Sequence, residues 1–154
     1  RKPSSGGSWT KIATVKNSVS KYKDSKVTAN ASYRYTVRAY YQASGKTYTS
    51  KYTTGPVIKA APALQQVSSV KSEKNGIRVR WSTQKKCDGY YIYRKKKGGS
   101  YQLIKKISNR NTATYLDKKA QKGVSYYYAV KAYVKEPYGN TYSKYKSSSV
   151  IKRK

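Results

Sequence analysis

The chain has 154 residues, of which 35 are Lys or Arg, five are Asp or Glu and none is His, for a formal net charge of +30. A domain uses on the order of 100–150 residues, so the length excludes a large multidomain enzyme. The lack of His and the single Cys, Cys87, exclude a conventional zinc site, an internal disulfide and the commonest general base.

Apolar residues make up only 36%, yet 19 Tyr and two Trp argue against a disordered chain. No run approaches the ~20 apolar residues of a membrane span, and no apolar segment of signal-peptide type occurs. The chain has no Met and opens on Arg1-Lys2, so it reads as a piece of a longer protein.

In chain order the first elements are Gly6-Gly7-Ser8-Trp9, Tyr22-Lys23-Asp24, the strand-like run Tyr33-Arg34-Tyr35-Thr36-Val37-Arg38-Ala39-Tyr40, and Val57-Ile58-Lys59. The last three return as Tyr115-Leu116-Asp117, Tyr126-Tyr127-Tyr128-Ala129-Val130-Lys131-Ala132-Tyr133 and Val150-Ile151-Lys152, each residue number rising by 93, and the first returns as Gly98-Gly99-Ser100-Tyr101. A fixed period of this length marks tandem copies of one unit. Between the copies, residues 57–64 contain no Gly or Ser run, which predicts a short, stiff linker.

The second copy continues with Ile77-Arg78-Val79-Arg80-Trp81, which alternates apolar and polar, and with the aromatic, β-branched run Tyr90-Tyr91-Ile92-Tyr93. Turn residues separate the runs at Asn75-Gly76, Asp88-Gly89, Gly98-Gly99, Lys122-Gly123 and Gly139-Asn140. No segment holds a 3.6-residue period. Roughly seven short strands in about 100 residues predict an all-β antiparallel sandwich.

Pro62 and Leu64, Ile77-x-Val79-x-Trp81, Gly89-Tyr90-x-Ile92, Thr114-Tyr115-x-Asp117 and Gly123-x-x-Tyr126-x-Tyr128-x-Val130-x-Ala132 together resemble strands A, B, C, E and F of a fibronectin type III domain, a member of the immunoglobulin-like class. The resemblance spans residues 60–154 and is greatest to the Tyr- and Lys-rich forms of Gram-positive surface and cell-wall proteins. It implies that 60–154 is a complete domain. Residues 1–59 are then a partial domain lacking strands A, B and most of C.

The resemblance implies a core of Ile77, Val79, Trp81, Tyr90, Ile92, Tyr126, Tyr128 and Val130, with Trp81 packed on Tyr90. It also implies that Tyr126, and Tyr33 before it, is a tyrosine-corner residue whose hydroxyl bonds the preceding backbone. Asp24 and Asp117 read as turn caps. The remaining acids, Glu73, Asp88 and Glu136, sit on separate loops and do not suggest a catalytic pair. Cys87, directly before the Asp88-Gly89 turn, reads as a small half-buried residue or, with Lys85 and Lys86 beside it, as a reactive thiol.

The pleat turns Tyr91, Tyr93, Tyr127, Lys131 and Tyr133 outward on neighbouring strands. This predicts an exposed Tyr-rich, Lys-flanked face, a candidate for stacking on sugar rings or a protein partner. The alternative is a set of cross-strand pairs that merely stabilise the sheet.

Of the basic residues, 27 are Lys and eight are Arg, scattered along the chain. Dispersed Lys suits loose attraction to polyanions more than base readout. The expected role is a non-catalytic, cofactor-free structural or spacer module of a secreted bacterial surface protein, attached by charge to anionic wall polymer such as teichoic acid, or to sulfated glycan. An adhesin or carbohydrate-binding module is the alternative reading. Nonspecific nucleic-acid binding is a weaker one, and no specific nucleic-acid site is expected.

Overall fold

Alternating and β-branched runs form strands and no helix occurs in the computed structural model, which describes residues 1–154. The chain divides into two compact units, Arg1–Ala60 and Ala61–Lys154.

The first unit has five short strands: β1 (Lys2–Pro3), β2 (Ser32–Arg34), β3 (Tyr40–Ala43), β4 (Lys46–Thr49) and β5 (Ile58–Lys59). A three-stranded sheet runs β1-β2-β5, and β3 and β4 form a separate hairpin. Its two-residue loop places Ser44 and Gly45 at φ 47° and 70°, the double positive φ that matches the twist of a tight hairpin. No residue of this unit is fully buried.

The second unit carries β6 (Gln65–Glu73), β7 (Gly76–Trp81), β8 (Gly89–Lys96), β9 (Gln102–Ile107), β10 (Thr114–Asp117), β11 (Ser125–Glu136), β12 (Gly139–Tyr142), β13 (Tyr145–Lys146) and β14 (Ile151–Lys152). One sheet runs β10-β7-β6-β13 and the other β9-β8-β11-β12, with β14 also on β11. All pairs are antiparallel except β13 with β6. This is an immunoglobulin-like sandwich of the fibronectin type III kind.

Inward residues of the two sheets meet in one core. Ile77, Val79, Trp81, Tyr90, Ile92, Tyr126, Tyr128 and Val130 all lie in it and are buried. The Trp81 and Tyr90 rings sit 5.5 Å apart at a tilt of 58°. Three Tyr rings, those of Tyr90, Tyr126 and Tyr128, enter this largely apolar interior, and each hydroxyl finds a partner there. The Tyr90 hydroxyl accepts from the Gln84 N–H at 2.7 Å and donates to the Arg110 carbonyl at 3.0 Å. Burial, the largest influence, pushes Tyr90 up to about 12.

A charged cluster closes one end of the sandwich. Asp117, on β10 and 1% exposed, accepts from Arg94 of β8 at 2.8 Å, from the Tyr128 hydroxyl of β11 at 2.8 Å and from the Lys119 N–H at 3.1 Å. The Arg94 guanidinium lies 5.0 Å from the Tyr126 ring, whose hydroxyl accepts from the Gln121 N–H at 3.0 Å. The first unit repeats every contact 93 residues earlier. Asp24 accepts from Arg1 at 2.8 Å, Tyr35 at 3.1 Å and the Lys26 N–H at 3.0 Å, while Arg1 lies 5.1 Å from the Tyr33 ring and the Tyr33 hydroxyl accepts from Thr28 at 3.1 Å. The strand register repeats too, Lys2↔Arg34 and Tyr33↔Ile58 becoming Lys95↔Tyr127 and Tyr126↔Ile151.

Replacing Trp81 with Ala removes a buried ring and is expected to lower the stability of the second unit by about 3–5 kcal/mol, read by thermal melting of the whole chain. Hydrogen exchange on the same samples is expected to show cooperative protection in Ala61–Lys154 and fast exchange before it, because only the second unit buries a core. Equal protection in both units would contradict this.

The charged clusters also set a pH window. Burial acts to raise the Asp24 pKa, but the Lys26 N–H, Arg1 and Tyr35 outweigh it and hold the carboxyl below its usual value. A depressed carboxyl stabilises the fold above its unfolded pKa of about 3.9, and that contribution disappears as pH falls through the folded value. Burial and then the bond to Asp24 push Tyr35 up to about 12, and burial with the Asp117 charge pushes Tyr128 upward as well. Both phenols favour the fold in full below pH ~10, and this contribution is lost as pH rises through their folded pKa values. Denaturant titrations across pH are expected to give a plateau with losses at both ends. In Tyr35→Phe with Tyr128→Phe the alkaline loss is expected to shrink.

Candidate binding face

Alternation along an extended chain sends Tyr91, Tyr93 and Lys95 of β8 and Tyr127, Lys131 and Tyr133 of β11 to the side away from the core. The register sets Lys131 opposite Tyr91, Tyr127 opposite Lys95 and Tyr133 opposite Gly89.

The expectation that all five candidate residues are exposed is corrected for two of them. Tyr133 is fully buried and Tyr91 is 7% exposed. Gly89 leaves a gap that the Tyr133 ring fills: a Cβ there would lie 2.9 Å from that ring and 2.0 Å from the Ile107 carbonyl oxygen. β12 then sets Tyr142 opposite Tyr133. The Tyr91 ring lies 5.0 Å from Tyr133 and 5.1 Å from Tyr142, and the Asn140 amide donates to the Tyr91 hydroxyl at 3.2 Å. Lys106 caps the group, its Nζ 5.4 Å from the Tyr91 ring and 5.9 Å from that of Tyr133. Its ammonium holds Tyr91 below the usual phenol range, whereas burial pushes Tyr133 up.

Tyr93, Tyr127 and Lys131 remain half-buried on the face. The structure joins to them Lys95, from the same side of β8, and two residues that alternation along β8 and β11 does not place there, Tyr101 and Tyr145. Lys131 Nζ lies 5.2 Å from both the Tyr93 and Tyr145 rings, and Lys95 Nζ lies 5.1 Å from both Tyr101 and Tyr127. Tyr101 and Tyr145 meet edge to face at 5.7 Å and 79°, and the Tyr101 hydroxyl donates to Ser147 Oγ at 2.7 Å. Burial is the largest influence on Tyr93 and Tyr101 and raises both. Each ammonium over a ring contributes about 0.5–1 kcal/mol at exposed sites, so the face is built from alternating rings and cations.

The carboxylates of Asp24, Glu73, Asp88 and Asp117 serve the fold. Asp24 and Asp117 bond Arg1 and Arg94, and Glu73 takes both arms of Arg78 at 3.2 and 3.1 Å. Asp88 accepts from the Lys135 N–H at 2.7 Å. Cys87 is buried, its thiol donating to the Gln84 carbonyl at 3.3 Å. What the face offers chemically is ammonium donors held at fixed places and ring edges between them.

No protein-family model matches this chain, and no curated protein does. Among solved structures, an Fn3-like protein from Clostridium thermocellum is 24% identical over 58% of this chain and 99% of its own, at a TM-score of 0.42. The FN1-FN3 domains of chicken CNTN1 are 21% identical over 86% of this chain and 46% of theirs, at 0.47. A beta-1,2-glucanase from Parabacteroides distasonis is 20% identical over 71% of this chain and 16% of its own, at 0.44. Each likeness is one of fold alone.

Proposed function

We propose that the chain is a non-catalytic structural or spacer module of a secreted bacterial surface protein, its two units being a partial and a complete fibronectin type III-like domain. It attaches by charge to anionic cell-wall polymer of the teichoic acid kind, or to sulfated glycan. The observation that carries this reading is the division of labour among the charges. The carboxylates of Asp24, Glu73 and Asp117 are bonded to arginines, and Asp88 is bonded to backbone, while the 27 Lys of the sequence far outnumber the acids. Such an excess attracts phosphate and sulfate polymers without reading their sequence.

A second reading, an adhesin or carbohydrate-binding module, draws on Tyr138, which is 83% exposed at the tip of the β11–β12 hairpin. Stacking on sugar needs free ring faces, and Tyr93, Tyr101, Tyr127 and Tyr145 each already carry an ammonium.

Titration against poly(glycerol phosphate), heparin and duplex DNA at several salt concentrations tests the proposal. Counterion release is expected to lower all three affinities together, by about tenfold or more over a fourfold rise in salt. A salt-insensitive preference for one polymer would overturn it.

A further inference from the structure

The two units share more than strand register on their outer faces. In the second, Lys95 lies over Tyr101, Lys131 lies over Tyr145, and the two rings meet edge to face. In the first, Lys2 Nζ lies 5.1 Å from the Trp9 ring and the Arg38 guanidinium lies 4.2 Å from the Tyr52 ring. Trp9 and Tyr52 meet edge to face at 5.9 Å and 81°. Lys2, Arg38 and Tyr52 become Lys95, Lys131 and Tyr145 at the 93-residue period, and Trp9 becomes Tyr101 at 92. The residue types differ at two of the four places, but the chemistry at each is kept: cation, ring, ring, cation.

We propose that this four-residue clasp is a binding site for a linear polyol or sugar chain bearing phosphate or sulfate esters, and that each unit carries one. Core packing does not account for the clasp, because it is complete in the first unit, where no residue is fully buried. Pairing with Asp24, Glu73 or Asp117 does not account for it either, since those carboxylates take Arg1, Arg78 and Arg94. Two like charges are gathered around one ring pair, an arrangement that an incoming anion relieves. Seating each cation on a ring restricts its side chain before the ligand arrives, which lowers the entropy lost on binding.

The spacing selects a chain over a single ion. Lys131 is paired with Tyr91, four residues along β8 from Lys95, which separates the two backbones by about 13 Å at ~3.3 Å per residue. A chain with esters at intervals matches cations rooted this far apart along the strand, and its C–H backbone then crosses the Tyr101 and Tyr145 ring edges.

The site rests on the polyanion reading above, and the experiment separates the two. Calorimetric titration of the whole chain uses a six-unit oligo(glycerol phosphate), with a sulfated heparin hexasaccharide in parallel. Wild type is expected to bind two oligomers per chain. K95Q/K131Q and K2Q/R38Q are each expected to bind one, with loss of both in the fourfold variant. K131R is expected to bind as wild type does, since Arg38 already holds that place in the first unit. K118Q/K122Q removes the same charge from exposed positions after β10 and is expected to stay within about twofold of wild type. Thermal melts check that each variant folds. If K118Q/K122Q weakens binding as much as K95Q/K131Q, the clasp is overturned and the diffuse-charge reading stands. If wild type binds neither the oligomers nor their parent polymers at low salt, both fall. The oligomer whose binding falls more in K95Q/K131Q identifies the ester.

Discussion

The second unit is organised around one buried carboxylate. Asp117 belongs to the β10-β7-β6 sheet, while its partners Arg94 and Tyr128 belong to the facing sheet. The two layers are therefore joined by charge-assisted hydrogen bonds across a water-poor interior, where an unpaired charge is strongly disfavoured. Replacing such an ion pair with well-packed apolar groups is often neutral for stability, so its main effect here is on arrangement. Arg94 must stand at one height on β8, Tyr128 must stand at one place on β11, and the chain must turn at Lys119. The Tyr126 corner then follows one step along the same strand. That Arg1, Asp24, Tyr33 and Tyr35 repeat the set shows that it forms even without a covering sheet.

Much of this was legible in the sequence, and what was not has identifiable reasons. Ile77-x-Val79-x-Trp81 alternates, so its inward face follows from the pleat alone, and the Tyr33 and Tyr126 hydroxyl contacts span only five residues. The partnership of Arg94 with Asp117 spans 23 residues, and no local pattern encodes it, although Arg1 and Asp24 recur at the same offset. Tyr91 and Tyr133 show a different limit. Alternation assigns a side chain to a face, but whether that face is covered depends on what packs over it. Here a glycine across the ladder and a hairpin arm folding back bury two rings that periodicity places outside. Lys95, Tyr101 and Tyr145 come from three separate strands and loops, so only the period that relates them to Lys2, Trp9 and Tyr52 hints at their association.

The charges follow a similar division. Arginine, with its planar fork, pairs with the carboxylates of Asp24, Glu73 and Asp117, where two-armed or buried geometry matters. Lysine, a compact charge on a flexible stem, lies over the outer rings. Arg1, Arg78 and Arg94 thus serve the fold, while most lysines, with Arg38 over Tyr52, dress the exterior, so the net charge of +30 is largely a surface property.

The last strands cross from one sheet to the other. After β12 the chain leaves β11, runs as β13 parallel to β6 through Tyr145↔Gln65 and Lys146↔Gln66, and returns as β14 to pair with Ser125 and Tyr126. The first strand of this unit is thus bonded in parallel to the next-to-last, while the last lies on the other sheet. Tension applied to both ends reaches β13 only after β14 has left β11, and it then draws β13 along β6, loading their hydrogen bonds together instead of peeling them apart in turn. The order in which this unit gives way under a pull is therefore set by the path of its final strands.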